Sequence, residues 1–487
     1  KRLNSPHAAW MAAKLNSEAI TVLKNEDTIL PLKQLNKKKI AALSIGDGVG
    51  NEFQKMLGEY DSIACFSIGR RSTAAQVQQV YNKLQKYDVI ICGVHTIRIP
   101  ESLALRQLAA KKELVYAFFT LPYACKEYKK SIEKAKAVVL AYEGTPLAQE
   151  YAAQVIFGGI AAKGKLPVSI PGLYYAGTGI FTEKTRLGYH QPEEVGANPD
   201  RLDVIESIVK EGLDEKAYPG CQVLVAKDGV IIYNKSFGYF DYESRQPVTE
   251  SSVYDLASAS KAAGMKAYDE KKFTLNNKIS DFIPELKESN KKDLSIKELL
   301  YHQSGVTPTI NFYLDAIDKD SYKGSLYSSA KNATHPVRFD AKTYVRNDFK
   351  YLPDVVSDTR KPGFTTEVAR NFYVSDSFKD TILQDIKKSR LGTRGRYVYS
   401  CVNFIMLKMM VENLMKSPMD QLLRDDFYSG LGAWHTTYNP LKRMDTLQIV
   451  PTEQDGFVRR QLLRGYVHDE AAAFQGGVSG NAGLFSN

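Results

Sequence analysis

The sequence is poor in cysteine and does not cluster what it has. Its five cysteines, at positions 65, 92, 125, 221 and 401, stand far apart, and no two form a CxxC pair. That excludes a zinc ribbon and a disulfide framework. The apolar settings of Cys65, Cys92 and Cys221 predict buried thiols. Long hydrophobic runs are also lacking, and the longest are far too short to cross a bilayer. The opening stretch KRLNSPHAAWMAAKLNSEAI has neither an unbroken apolar region nor a cleavage site, so no signal peptide is expected in it. After the first strand-like run stands GDGVG (46–50), which is not Gly-x-Gly-x-x-Gly and argues against dinucleotide binding. Internal repeats and low-complexity tracts are absent. The net charge is +10, but the lysines are interleaved with acids, and stretches such as 33–39 and 287–293 read as solvated loops. With no aromatic-plus-basic module beside that charge, nucleic acid is not an expected partner.

What is present is a soluble, core-forming composition, 44% hydrophobic and 25% charged, in 487 residues, long enough for two or three domains. In the first part, apolar runs at 39–46, 62–69, 88–94, 113–120 and 137–142 alternate with amphipathic stretches such as 73–87, where Val77, Val80 and Leu84 share a face. Strands apolar on both faces, alternating with helices, predict a parallel sheet covered by helices: an α/β parallel-sheet sandwich over residues 1–190. A Gly-, Pro- and Tyr-rich stretch without periodicity follows, and the linker is placed at 191–199. The second part, 200–487, opens with a helix (200–216) bearing Leu202, Ile205, Ile208 and Val209, then a hairpin turning at Asp228-Gly229. Antiparallel strands beside a mostly helical body predict an α+β domain.

Five Ser-x-x-Lys pairs occur: Ser131/Lys134, Ser207/Lys210, Ser258/Lys261, Ser289/Lys292 and Ser328/Lys331. Four have structural readings, on surface helices or in lysine-rich loops. Ser258 alone follows an apolar run and sits among small residues, the context of a serine in the first turn of a buried helix, where the helix N-terminus favours negative charge. Lys261, one turn on, lies on the same face, and a desolvated lysine amine can take the serine proton. Tyr399, in YSCVN, is the candidate second proton carrier. By composition alone it is one of 29 tyrosines, and the order of the surrounding blocks is what singles it out.

The blocks YDLASASK, KKFTLNNKISDFIPEL, KELLYHQSGV, RYVYSCVNF and GYVHDEAAAFQGGVSGNAGLFSN, in this order, resemble the serine β-lactamase-like superfamily of class C β-lactamases, penicillin-binding DD-peptidases and esterases. The resemblance covers about 198–487. It implies Ser258 as nucleophile, Lys261 as its base partner and Tyr399 as second base, with Cys401 and Asn403 as substrate-binding or second-shell residues. Cys401 stands where the family carries Asn or Asp, a poorer hydrogen-bonding partner, which favours ester or peptide hydrolysis over β-lactam hydrolysis. His302 and His468, inside these blocks, read as structural. Two departures stand out. The segment after Lys261, AAGMKAYDEKKF, is shorter than the family pattern, and the Lys/His-Thr-Gly strand that supplies an oxyanion-hole N–H in the family is not found, so the domain is expected to be truncated at its C-terminus.

The first part has its own likeness. SEAITVLKNEDTILPLK (17–33), FGGIAAKGKLPVSIP (157–171) and LGY (187–189) resemble the C-terminal α/β sandwich of family 3 glycoside hydrolases. In that family the catalytic aspartate lies on a preceding barrel, and residues 1–190 hold no carboxylate pair suited to catalysis. Glu101 and Glu143 follow strands but read as capping or surface residues. Together the resemblances imply a fusion of a β-N-acetylhexosaminidase-type glycosidase with a serine hydrolase. Its substrates would be peptidoglycan or related glycans and peptides, in the periplasm or envelope of a bacterium. No metal and no cofactor is implied. The alternative is a non-catalytic scaffold or glycan-binding module in which Ser258 and Lys261 are relics.

Overall fold

A computed structural model describes residues 6–243, 245–264 and 266–487. Met265, in the short segment after Lys261, and Lys1–Ser5 of the opening stretch lie outside the described residues. The described chain forms two compact units, one of Lys1–Phe237 with Ser429–Ala433, the other of Gly238–Tyr428 with Trp434–Asn487.

The first unit is built on β1 (Thr21–Asn25), β2 (Ile40–Ile45), β3 (Ala64–Ile68), β4 (Val89–Val94), β5 (Glu113–Phe118) and β6 (Ala137–Leu140), in the order β1-β6-β5-β4-β2-β3. The pairings among β2 to β6 are parallel, and β1 joins β6 antiparallel. Alternate residues of each strand feed two separate cores. Ile40, Val89, Ile91, Val115 and Val139 meet Phe157 and Ile156 on one face. Leu43, Ile90, Val94, Leu114, Tyr116 and Leu140 meet Leu105, Leu108 and Tyr128 on the other. The period of two in a strand sends neighbours to opposite faces, so a strand apolar throughout must be covered twice.

The helices start where side chains can cap them. Thr73 makes a capping box at α3 (Ala74–Leu84) after Asn51 caps α2 (Glu52–Gly58); α1 is Pro6–Ala19. Ser102 caps α4 (Leu103–Lys111), and Thr145 followed by Pro146 opens α5 (Pro146–Phe157), which Gly158 closes in the left-handed region at φ +80°. Each device satisfies backbone groups that a helix end leaves unpaired.

The packing of the first unit extends to Phe237. The reason lies in pairing. Two residues just before the expected linker, β7 (Gly188–Tyr189), bond in parallel to β9 (Val230–Gly238), whose hairpin partner is β8 (Gly220–Lys227). Gln154 of α5 holds both backbone groups of Tyr189, at 2.9 and 2.8 Å. The hairpin turn is at Asp228-Gly229, both in the left-handed region (φ +53° and +74°), as a two-residue primed turn requires. The helix expected over 200–216 is broken into Pro199–Leu202 and α6 (Val204–Asp214). It buries Val209 but leaves Ile208 61% exposed. The cysteines also differ from expectation. Cys92 and Cys125 are buried, but Cys65 is half-buried on edge strand β3 and Cys221 half-buried on β8. Burial pushes the Cys125 thiol up to about 12.

The second unit is α+β, with its antiparallel pairing divided among several small sheets rather than one continuous sheet. The sheet nearest the site has β10 (Tyr254–Asp255) and β11 (Thr437–Tyr438) on either side of β12 (Leu484–Ser486). Its main core gathers Leu294, Ile296 and Leu299 of α7 (Ile296–Leu300) and its approach, Ile382 and Ile386 of α8 (Phe378–Lys388), and Val402, Ile405, Met406 and Met410 of α9 (Cys401–Met415).

Candidate active site

Ser258 does not start an α-helix. It lies in a 3-10 segment, Ala257–Gly264, entered from β10 through Ala257 at φ +45°. A non-glycine residue there is uncommon, and its surroundings hold it. Asp255 Oδ1 accepts the Ala257 N–H at 2.9 Å, and its Oδ2 accepts the His468 N–H at 2.7 Å. Leu256 N donates to Leu484 O at 2.9 Å, and Ser260 Oγ accepts the Leu484 N–H at 2.9 Å. The turn carrying Ser258 is thus fastened to β12 on one side and to the 467–469 loop on the other. Burial raises the Asp255 carboxyl above its ordinary value, against the two backbone donors.

With three residues per turn, side chains at i and i+3 eclipse. Lys261 Nζ accordingly lies 2.9 Å from Ser258 Oγ. It also reaches Asn481 O at 3.0 Å and Cys401 Sγ at 3.7 Å. The Tyr399 hydroxyl lies 2.9 Å from Ser258 Oγ, and Lys261 Nζ stands over the Tyr399 ring, 4.9 Å from its centroid. Serine, lysine and tyrosine, separated by 141 residues of chain, converge on one oxygen. The site faces solvent: Ser258 is exposed, Tyr399 is 43% exposed and Lys261 is half-buried, whereas a buried helix start was expected.

Tyr399 is delivered by the turn before α9. Ser400 caps α9 by accepting the Asn403 N–H at 3.4 Å, and its hydroxyl donates to Thr307 O at 2.8 Å. Cys401 begins the helix and turns its sulfur to Lys261. Asn403 does not line the site. It is fully buried, donates to Leu299 O at 3.1 Å and accepts the Ser304 hydroxyl at 2.8 Å. At about 100° per residue, two positions after Cys401 lies on the far side of the helix, so both cannot face the same pocket. Asn403 instead anchors α9 to the segment that carries His302.

His302 is 9% exposed, and its Nδ1 accepts the Ser400 N–H at 3.0 Å. Burial, helped by the charge on Lys261, lowers its proton affinity. His468 is tied by its side chain to Glu453 at 3.1 Å, which raises its proton affinity. Glu101, in the first unit, is a buried cap: its Oε1 accepts the Ser131 N–H at 2.6 Å and its Oε2 pairs with Arg106 at 3.0 Å. Glu143 accepts the Thr145 hydroxyl at 3.1 Å in an exposed loop. Two contributors to the site were not anticipated from sequence, Asp255 and the Asn481 carbonyl. Asp255 sits inside the YDLASASK block, where its side-chain type was a usable signal; a backbone carbonyl leaves none.

Set against known proteins, the chain matches the family model described as Beta-lactamase over residues 205–487, more than half its length. It belongs to that family. It is 28% identical over 326 residues to a protein of Escherichia coli (strain K12) described as "Putative D-alanyl-D-alanine carboxypeptidase", and the match covers 61% of this chain and 63% of that one. A protein of the same description from Salmonella typhimurium (strain LT2) is 27% identical over 328 residues with the same coverage. The match thus spans less than two thirds of these relatives. Among solved structures, it is similar to an octameric penicillin-binding protein homologue from Pyrococcus abyssi, at 17% identity and a TM-score of 0.39 over 59% of this chain and 53% of that one. A class C β-lactamase from Rhodobacter sphaeroides gives 14% identity and a TM-score of 0.37 over 58% and 62%. Among the described residues no helix is long and apolar enough to cross a membrane.

Proposed function

We propose that the second unit hydrolyses an acyl compound through an acyl-enzyme on Ser258. The observation that carries this is the pair of 2.9 Å contacts to Ser258 Oγ, from Lys261 Nζ and from the Tyr399 hydroxyl. Asn481 O and Cys401 Sγ hold Lys261 Nζ beside Ser258 Oγ, where it can receive the Ser258 proton. Ser258 Oγ attacks the substrate carbonyl carbon as its proton passes to Lys261. The tetrahedral intermediate collapses, the bond to the leaving group breaks, and the Tyr399 hydroxyl gives that group a proton, recovered from the Lys261 ammonium. Water then adds to the ester carbonyl and Ser258 leaves with a proton returned by the same pair.

Cys401 beside Lys261 offers substrate only a weak S–H donor, which favours esters and simple amides over an acylamino-bearing β-lactam. A peptide ending in D-alanine is the substrate class suggested by the names of the relatives, and a bacterial envelope is the setting those names suggest. We also infer that the first unit is the C-terminal sandwich of a family 3 glycoside hydrolase, with peptidoglycan fragments as the target of the whole. The three sequence blocks, and the doubly covered parallel sheet between the first two, support that reading.

Intact mass after incubation with a fluorophosphonate and, separately, a penicillin tests the chemistry. One adduct is expected on the chain and none on Ser258→Ala, and Lys261→Met should slow adduct formation on the order of 10²–10⁴-fold. A fluorophosphonate adduct without a penicillin adduct selects esterase or peptidase chemistry. No adduct with either reagent overturns the reading in favour of a non-catalytic module.

A further inference from the structure

Both backbone neighbours of Tyr399 end on one residue. The Val398 N–H donates to the carbonyl of His302 at 2.8 Å, and the Ser400 N–H donates to the Nδ1 of the same histidine at 3.0 Å. Between these two bonds, the His302 ring lies against the Tyr399 ring, centroids 4.6 Å apart. Tyr397, at 5.8 Å, and Phe404, at 5.4 Å, close the remaining sides. His302 makes this double contact in the left-handed region, at φ +54°, a conformation that few side chains other than Asn, Asp and His adopt readily.

We propose that His302 is a positioning residue for Tyr399, acting only in its neutral form with the proton on Nε2. This rests on the reading of Tyr399 as the proton carrier and adds what holds it in place and when. An Nδ1 that accepts a backbone N–H cannot itself carry a proton, so a neutral ring must be protonated at Nε2. Protonating Nδ1 would set two donors against each other 3.0 Å apart in a buried place. The titratable groups facing the ring are Lys261, Tyr397 and Tyr399, none of which supplies a negative charge to hold an imidazolium at neutral pH.

Two substitutions separate the acceptor from the ring. His302→Asn keeps an acceptor near the Nδ1 position and tolerates the left-handed backbone. His302→Phe keeps the stacked ring and leaves the Ser400 N–H unpaired. With 3-fluorotyrosine placed at position 399, the ¹⁹F resonance of the parent chain should move in a single step as pH falls from about 7, below the ordinary histidine value near 6.5. The His302→Asn resonance should show no such step. At pH 7.5, fluorophosphonate labelling of Ser258 should fall about 10- to 100-fold in His302→Phe and no more than about threefold in His302→Asn. Circular dichroism checks that each variant is folded. An unchanged step in His302→Asn, or a folded His302→Phe with parental labelling and resonance, overturns the proposal. If Ser258 of the parent chain is not labelled at all, the acyl-enzyme reading falls, and the ¹⁹F titration still decides the role of His302.

Discussion

The two units are held together differently. The sheet of the first is lined by aliphatic and aromatic residues at almost no exposure, in two cores drawn from alternate residues of the same strands. It is regular, and no side chain in it is set up to react. The second unit has an apolar core as well, but the parts around Ser258 are short strands, 3-10 turns and loops joined by buried polar groups. Arg459 is the centre of one such group: its guanidinium donates to Asp455 at 2.8 Å and to the carbonyls of Val467 and His468, each at 2.6 Å. The His468 N–H then reaches Asp255, which fixes the backbone before Ser258. Regular structure satisfies its backbone internally and leaves little to aim. Irregular structure must satisfy it with side chains, and those side chains are what set Ser258, Lys261 and Tyr399 at hydrogen-bonding distance.

The largest effect that sharpens this contrast comes from Arg459→Leu. It removes one member of a buried ion pair and takes the guanidinium donor from the carbonyls of Val467 and His468. A loss of about 3–5 kcal/mol is expected, the usual cost of breaking a buried pair from one side. Hydrogen exchange read by mass spectrometry should place the loss in residues 434–487 and 245–264, leaving β2 to β6 protected. Slower fluorophosphonate labelling of Ser258 should accompany it. Burial alone would raise the Asp455 carboxyl, but the Arg459 charge and the backbone donors outweigh it and hold Asp455 below its ordinary value. Its contribution is therefore present above about pH 4 and is lost as pH falls through the lowered value. Arg459→Leu should flatten that acid slope.

The same contrast explains what the sequence discloses and what it withholds. The parallel strands were legible because strands covered on both faces are apolar throughout, and β2, β4, β5 and β6 fall inside the expected runs. β1 was not read as a strand, since a five-residue edge segment, half apolar, carries no periodicity of its own. The hairpin was legible from Asp228-Gly229, but not its pairing with Gly188–Tyr189, because that pairing depends on two residues of no distinctive type. At the site, residue types in order pointed to Ser258, Lys261, Tyr399 and Cys401, which meet in space. The direction of Asn403 was illegible without knowing where α9 begins, since a two-residue offset reverses the face. The 3-10 winding at Ser258 was hidden by small residues that suit either helix.

A smaller effect distinguishes the units by pH. Lys291, fully buried, donates to Lys387 O at 3.4 Å and to Ser389 O, at the C-terminal end of α8. Burial lowers its pKa to about 8. The unfolded chain, with an ordinary lysine near 10.4, then binds more protons than the folded one in the window between these values. Stability of the second unit should rise with pH from about 8 to about 10.4, by on the order of 1–3 kcal/mol. Urea melts followed by exchange within α8 check it. In Lys291→Met that rise should vanish, and an identical slope in both proteins would remove the lysine from the account.

The smallest effect lies in the regular unit, where single polar contacts should matter least. Thr73 closes a reciprocal cap on α3, accepting the Gln76 N–H at 3.3 Å while Gln76 accepts the Thr73 N–H at 2.9 Å. The contacts are exposed, so water replaces them when they are lost. Thr73→Ala should cost about 1 kcal/mol, read as faster amide exchange in the first turn of α3 with the strands unchanged. A loss of several kcal/mol, or one that spreads to β2 and β4, would mean that this unit too depends on side-chain caps, and the division between an apolar sheet and a polar-braced site would not hold.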